Sequence, residues 1–165
     1  MNFVHIELKR DTWLKPSVVV KTPEDAVKVI KNLIKDIDKE VLCTINLATN
    51  GAVINAAVCS IGSICQSVVS IAEIVRLAIL SGAAAIILVH NHPSGSTKPS
   101  KDDVEVTRRV AVACQLMDLN LLDHIIIGDK DYVSIKEEDE DCFFVGKNDY
   151  KDLLIAEDGG KNIEK

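Results

Sequence analysis

Residues 83–103 read AAAIILVHNHPSGSTKPSKDD, a stretch that predicts a strand, a tight loop and the start of a helix. Its apolar part, residues 84–89, has the length and continuity of a strand buried on both faces. Pro, Ser and Gly fill the loop that we place from His90 to Pro99, and they turn the chain sharply. The spacing Ser100-x-x-Asp103 then has the form of a capping box at a helix N-terminus. The end of a buried strand and the beginning of a helix are therefore expected to lie close together.

Outside this stretch, strand patterns alternate with helix patterns along the chain. Strands are predicted at residues 18–20, 40–47, 53–59, 84–89, 119–127 and 132–135, and helices at 22–35, 70–80 and 100–117. Asn50-Gly51 is a hairpin turn signal, and Gly128-Asp129 marks a second turn. Capping boxes open the first two helices, at Thr22 to Asp25 and at Ser70 to Glu73. The pattern predicts an α/β (α+β) fold, a mixed β-sheet flanked by helices.

Most of the chain is expected to form one domain. Residues 22–136 contain the predicted helices and the main strands, and residues 1–21 are interpreted as an N-terminal strand extension. The sequence then becomes acidic, with KEEDED at 136–141, and we expect residues 137–165 to form a loosely held tail. A chain of 165 residues is long enough to bury a hydrophobic core without a disulfide or a structural metal.

The charge and composition argue against binding to nucleic acid or to membranes. The net charge of −6 gives no general attraction to phosphate backbones or anionic lipid. One Trp, two Tyr and three Phe leave few aromatic rings for stacking on bases. The longest apolar stretch, residues 82–89, is too short to cross a bilayer. We therefore expect neither direct nucleic-acid binding nor membrane insertion.

The cysteines indicate buried, free thiols in a reducing compartment. The five are Cys43, Cys59, Cys65, Cys114 and Cys142. Their number is odd, no two form a CxxC motif, and four lie in apolar runs. Met1 to Arg10 mixes charged with apolar residues, unlike a signal peptide. We expect a cytoplasmic protein.

His90 and His92 are candidate metal ligands because they lie two residues apart at the end of a predicted strand. If extended geometry continues through them, both rings project to the same side. Two imidazoles on one side suit a zinc ion, which takes nitrogen ligands at about 2.0–2.1 Å. A lone histidine is usually a core or surface residue that binds no metal, whereas a His-x-His pair at a strand end binds a metal more often than a lone histidine does.

Asp103 has two explanations that are compatible with each other. As the third residue of a helix it completes a capping box with Ser100, and this needs no metal. Helix periodicity also places it on the inward stripe formed by Thr107, Val110, Cys114 and Met117. An inward carboxylate is costly unless it is paired, hydrogen-bonded or bound to a metal. Asp103 is therefore the third candidate ligand.

The spacing of these residues resembles a known signature. The pattern His-x-His, seven residues, Ser, two residues, Asp, which begins at His90, is similar to the JAMM motif of the JAB/MPN metallohydrolases. The surrounding segments resemble the RadC-like branch of that family: AAAIILVHNHPSG at 83–95, VTRR at 106–109 and LLDHIIIGDKDYVSI at 121–135. The resemblance extends from Thr22 to Ile135, and it implies a JAB/MPN, cytidine-deaminase-like architecture.

The resemblance also implies roles for individual residues. His90, His92 and Asp103 would hold one Zn²⁺ per chain, with a water molecule in the fourth position. Ser100 would help to stabilise an oxyanion, and a glutamate from an earlier strand would act as the base.

Three glutamates are candidates for that base. Glu24 lies in the first turn of a helix, and Glu73 completes a capping box. The family usually has an arginine just before the position of Glu73, where this chain has Ala72. Glu40 opens the strand EVLCTINL, which matches the position of the family's glutamate, so we assign the base to Glu40. His124, in the segment shared with the family, is interpreted as a structural residue or as one that supports the ligands.

Two functions are carried forward as hypotheses. The first is zinc-dependent hydrolysis of a peptide or isopeptide amide bond in a peptide or protein substrate. The second is a non-catalytic, metal-binding scaffold that binds a partner in DNA metabolism, since RadC-like proteins carry a historical DNA-repair label. The presence of Glu40 and Ser100 beside a complete ligand set favours the enzyme.

Overall fold

The apolar run at residues 84–89 becomes part of the middle strand of a five-stranded sheet. The computed structural model describes residues 18–34, 37–62 and 69–146. The strands in these ranges are β1 (Val41–Leu47), β2 (Val53–Ile61), β3 (Ala85–Asn91), β4 (Asn120–Ile127) and β5 (Tyr132–Ser134). The helices are α1 (Pro23–Ile34), α2 (Ile71–Leu80), α3 (Lys101–Leu116) and α4 (Ile135–Glu138), followed by a short 3₁₀ helix at Glu140–Phe143. The predicted α/β fold, a mixed sheet flanked by helices, is confirmed.

The order of the strands explains where the carboxyl end of β3 lies. Across the sheet the order is β2-β1-β3-β4-β5. β3 and β4 are parallel, and the other neighbouring pairs are antiparallel. A parallel pair needs a crossover connection, which α3 provides here. Because parallel strands end at the same edge, His90 near the end of β3 lies opposite Ile126 of β4.

The sheet has a hydrophobic core on each face, and all seven residues of β1 and of β3 are buried. The first core lies beneath α1 and includes Ala26, Ile30, Ile34, Val41, Cys43, Ile45, Leu47, Ile87 and Ile125. The second lies beneath α2 and α3 and includes Leu42, Ile74, Ala78, Ile86, Leu88, Val106, Val110 and Cys114. Since side chains alternate along a strand, His90 shares the second face with Leu88.

Side-chain caps begin the helices where the sequence predicted them. The Asp25 N–H donates to the Thr22 hydroxyl at 3.3 Å, and the Thr22 N–H donates to the Asp25 carboxylate at 3.1 Å. The Ser70 hydroxyl accepts from the Glu73 N–H at 3.3 Å, while the Glu73 carboxylate lies 3.4 Å from the Arg76 guanidinium. These bonds satisfy N–H groups that have no partner within the helix.

Two predictions for the central part of the chain are wrong in detail. The predicted loop from His90 begins two residues later, because β3 continues through Asn91 and pairs with both neighbouring strands. Met117, predicted to lie on the buried stripe of α3, follows the end of the helix and is 54% exposed. The other members of that stripe are buried: Thr107, Val110 and Cys114.

The start of the predicted tail is ordered by packing. Residues 135–143 form α4 and the 3₁₀ helix, and Cys142 packs with Ile126 and Ile135 in a small third cluster. The expectation of a loosely held tail from residue 137 is therefore wrong for its first residues. Predictions for residues 1–17, for Cys65 and for residues 147–165 lie outside the described residues. Within those described, no helix is both long and apolar enough to cross a membrane.

The buried cysteines give the first testable prediction. Burial raises the pKa of Cys43 and of Cys114 to about 12, because the charged thiolate is poorly solvated there. In the folded protein at mildly alkaline pH we expect both thiols to resist alkylation, and in denaturant we expect both to react fully. Mass spectrometry of the alkylated peptides measures the difference. Native labelling of either residue at the denatured rate would contradict the packing described here.

Candidate metal centre

Three side chains from the predicted set converge at the carboxyl end of β3. His90 Nε2 and His92 Nε2 lie 3.0 Å apart. Asp103 Oδ1 lies 3.2 Å from His90 Nε2, and Asp103 Oδ2 lies 3.5 Å from His92 Nε2. One ligand atom from each residue lies within 4.8 Å of the others. His90 and Asp103 are buried, and the His92 side chain is 12% exposed.

The two histidines face the same side because the sheet ladder continues beyond β3. His90 is the sixth residue of that strand, on the face covered by α2 and α3. The His92 N–H donates to the carbonyl of Ile127 at 3.0 Å, which extends the pairing with β4 by one residue. Extended geometry therefore carries through both rings, as the sequence predicted.

The loop after His92 is compact and packs against the turn between β4 and β5. Gly95 has a φ of +77°, and a Cβ there would lie only 2.7 Å from the Asp129 carboxyl carbon. A Cβ at Gly128 would lie 2.8 Å from the side chain of Thr97. Gly95 has a left-handed backbone that favours glycine, and a Cβ at Gly128 would also collide with the backbone carbonyl of Gly95. The packed loop brings the carbonyl of Ser96 to 2.9 Å from His92 Nδ1.

Asp103 is at once a cap and a member of the site. The N–H and the hydroxyl of Ser100 donate to Asp103 Oδ2 at 2.7 and 2.6 Å, and the Asp103 N–H donates to the Ser100 hydroxyl at 3.1 Å. Burial by itself would raise the pKa of Asp103. The nearby His90 and the hydrogen bonds from Ser100 outweigh it and hold that pKa well below its usual value. The carboxylate is therefore ionised at neutral pH.

The donor set fits a metal cation. A carbonyl oxygen only accepts hydrogen bonds, so the contact with Ser96 requires the proton of a neutral His92 ring on Nδ1. This leaves the lone pair of His92 Nε2 directed toward the Asp103 carboxylate and His90. A cluster of imidazole nitrogen and carboxylate oxygen is the coordination chemistry of zinc and related transition metals.

His124 lies behind His90 and is fully buried. Its Nε2 is 2.9 Å from His90 Nδ1, and its Nδ1 is 2.7 Å from the hydroxyl of Thr107. Burial and the neighbouring His90 lower the pKa of His124 well below its usual value, so the ring is neutral. The sequence analysis singled out His124 but did not identify the residues that contact it. It placed Thr107 on the buried stripe of α3 and gave it no role in the site.

The predicted base, Glu40, lies just before the ladder of β1 and β3. Glu40 immediately precedes β1, where Leu42 pairs with His90 in an antiparallel ladder. The ladder ends at this pair, and the half-buried Glu40 lies two residues before Leu42 in the chain. Glu73 is exposed on the first turn of α2, and its carboxylate pairs with Arg76. Glu24 lies on α1, where its carboxylate is 2.9 Å from Lys28.

Asn91, which the sequence analysis did not single out, holds the segment that carries Glu40. The Val41 N–H donates to Asn91 Oδ1 at 2.8 Å. Asn91 Nδ2 donates to the carbonyls of Lys39 at 3.0 Å and Ile37 at 3.4 Å. A polar residue between two histidines of a buried strand needs such partners, and this requirement is the signal that could have identified it.

Comparisons with known proteins agree with the fold and with this cluster. The family model described as RadC-like JAB domain matches residues 20–140. A UPF0758 protein of Geobacillus sp. (strain WCH70) is 41% identical over 120 residues, which cover 73% of this chain and 53% of that protein. One from Clostridium acetobutylicum is 42% identical over 122 residues, covering 74% and 53%. One from Desulforamulus reducens is 38% identical over 136 residues, covering 81% and 60%.

These matches define the class of protein. The chain belongs to the RadC-like JAB domain family. It has the mixed sheet of such a domain and a His-His-Asp cluster consistent with a JAMM-like metal site. The chain spans little more than half the length of the curated relatives it matches.

Replacement of Asn91 by leucine tests whether this side chain holds the segment before β1. Asn91→Leu leaves the buried N–H of Val41 and two carbonyls without these bonds, which should cost about 1–3 kcal/mol of unfolding free energy. Asn120→Leu is the matched control, because Asn120 is exposed and makes one long bond of 3.4 Å to Ala84. The control should change stability by less than about 0.5 kcal/mol. Urea denaturation compares the two, and equal losses would contradict the role of Asn91.

Proposed function

We propose that this domain is a zinc-dependent hydrolase of the JAMM type that cleaves a peptide or isopeptide amide bond. The observation that carries the proposal is the convergence of two imidazole nitrogens and one ionised carboxylate in a largely buried cluster. Membership of the RadC-like JAB family supports it. The names of the relatives state no activity, so the reaction is inferred from the chemistry of the site.

Zinc is the metal that this donor set favours. Catalytic zinc sites use three protein ligands and leave a fourth position for water or substrate. Magnesium and calcium prefer oxygen ligands, whereas His90 and His92 offer nitrogen. The three ligands would come from β3, from the residue after it and from the first turn of α3.

The residues around the cluster would divide the chemistry of hydrolysis. A bound zinc ion lowers the pKa of a coordinated water molecule to about 7. Continued by two residues beyond the pair of Leu42 and His90, the register of β1 and β3 would bring Glu40 opposite His92. There Glu40 would accept the proton of the attacking water and pass it to the leaving nitrogen. Ser100 would donate to the developing oxyanion, and for this its hydroxyl must turn away from Asp103.

A metal-binding scaffold is the second candidate, and one observation favours it. The Ser100 hydroxyl already donates to Asp103 and accepts from the helix, so its present position is explained by capping alone. In that case the cluster would stabilise a surface that binds a partner protein, and no amide would be cleaved.

The metal content of three variants tests the proposed ligands. Wild-type protein, purified without added metal or a histidine tag, should contain about one zinc per chain by elemental analysis. Asp103→Ala should lose the zinc, whereas Asp102→Ala should retain it, because Asp102 is the exposed acidic neighbour on the same helical turn. Ser100→Ala should lose about 1 kcal/mol of helix capping but keep its zinc. Equal zinc content in wild type and Asp103→Ala would support a capping box without metal.

Glu40→Gln separates the enzyme from the scaffold. The change is nearly isosteric, so zinc content and melting temperature should stay close to wild type. Removal of a general base should lower turnover about 10²–10⁴-fold. Hydrolysis would be measured on a peptide library and on peptides joined through lysine isopeptide bonds.

Glu73→Gln is the matched control for this experiment. Its carboxylate is exposed and paired with Arg76, so the variant should retain wild-type turnover. If Glu73→Gln is inactive and Glu40→Gln is fully active, the base has been assigned to the wrong glutamate. If zinc-loaded wild type cleaves no amide in these assays, the scaffold is favoured.

A further inference from the structure

A chain of buried hydrogen bonds connects two of the proposed ligands through the interior of the protein. The hydroxyl of Thr107 donates to the backbone carbonyl of Asp103 at 2.6 Å. The same oxygen lies 2.7 Å from His124 Nδ1, and His124 Nε2 lies 2.9 Å from His90 Nδ1. Each of these four residues is at most 1% exposed, so the bonds are shielded from competing water.

Three structural elements create this chain. Thr107 follows Asp103 by one helical turn on α3, which places its hydroxyl beside the carbonyl of Asp103. His124 lies on β4 opposite Leu88 in the parallel ladder, and His90 follows Leu88 by two residues on the same face of β3. The parallel pairing of β3 and β4 therefore brings the two rings together beneath α3.

The capacity of each group to donate or accept fixes the direction of every bond. The carbonyl of Asp103 can only accept, so the single hydroxyl proton of Thr107 points toward it. The Thr107 oxygen then accepts from His124, which puts the proton of the neutral His124 ring on Nδ1. His124 Nε2 is left with a lone pair, and it accepts a proton carried by His90 Nδ1.

The consequence reaches the proposed metal site. With its Nδ1 proton donated to His124, His90 has Nε2 as the ring nitrogen left for a metal ion, and this atom lies 3.2 Å from Asp103 Oδ1 and 3.0 Å from His92 Nε2. The opposite tautomer would put a proton on Nε2, between His90 and Asp103, where it would block coordination. It would also turn the Thr107 proton away from a carbonyl oxygen only 2.6 Å distant and bring two oxygen lone pairs into contact.

We propose that Thr107 and His124 are positioning residues that hold a proton on His90 Nδ1, so that Nε2 is the ring nitrogen left for a metal ion. Neither residue touches the metal or a substrate in this arrangement. Because the chain of hydrogen bonds starts at the backbone carbonyl of Asp103, the position of Asp103 sets the orientation of His90. The effect on metal affinity rests on the proposed function, but the proton on His90 Nδ1 in metal-free protein does not.

Nitrogen-15 NMR of the histidine side chains tests the tautomers directly. Long-range proton–nitrogen spectra of the metal-free protein should show His90 and His124 both protonated on Nδ1. Replacement of each histidine in turn assigns the signals. A metal-free protein in which His90 Nδ1 carries no proton, or in which His124 carries its proton on Nε2, would overturn the proposal. This result does not depend on whether wild type binds zinc, so it is separable from failure of the proposed function.

Zinc affinity, measured by competition with a chromophoric chelator, tests the consequence at Thr107. Thr107→Val has nearly the same shape but can neither donate nor accept, and it should lower affinity about 10–100-fold, the usual cost of losing an outer partner of a ligating histidine. Thr107→Ser keeps the hydroxyl and should restore wild-type affinity. Thr44→Val is the matched control, because Thr44 is equally buried on β1 but contacts Cys59 rather than a ligand.

Two variants at His124 distinguish positioning from packing. His124→Gln can offer an amide oxygen to His90 Nδ1 and should bind zinc more tightly than His124→Phe, which fills the space without an acceptor. Thermal melting of the metal-free variants records the packing cost separately. The proposal would be overturned if Thr107→Val bound zinc with wild-type affinity. It would also be overturned if His124→Gln and His124→Phe bound zinc with equal affinity, because either result would show that the side chain only fills space.

Discussion

A buried carboxylate must be hydrogen-bonded or matched by a cation, and Asp103 imposes this requirement on the structure. Ser100 satisfies one side of the carboxylate and in doing so starts α3. His90 and His92 face the other side. The same group therefore caps a helix and organises the site. The first turn of α3 and the cluster are coupled, because both use the Asp103 carboxylate.

The parallel pairing of β3 and β4 is what allows the remaining polar groups to be buried. It requires a crossover, and α3 supplies both the crossover and two members of the polar chain. Burial of the His124 ring beneath this helix would cost free energy if its nitrogens had no hydrogen-bond partners. Thr107 on one side and His90 on the other provide these partners. The polar atoms of Thr107, His124 and His90 thus satisfy one another beneath α3.

Much of the fold could be predicted because its signals are local. Hydrophobic periodicity located the central strands and the three long helices, and capping residues located their starts. Local signals failed where tertiary contacts extend or order a segment. His90 and Asn91 belong to β3 because both flanking strands pair with them. Residues 135–143 are ordered because Ile135 and Cys142 pack on Ile126, although the sequence there is acidic.

The sequence by itself determined the identity and spacing of His90, His92, Ser100 and Asp103, since a strand end, a short loop and a helix start are read from neighbouring residues. It also determined that Asp103 faces inward, through helix periodicity. Only the tertiary structure decided which side chains support them. Asn91 bonds to residues about 50 positions earlier in the chain, and His90 to His124, 34 positions later. Such contacts depend on strand order and register, which local patterns do not specify.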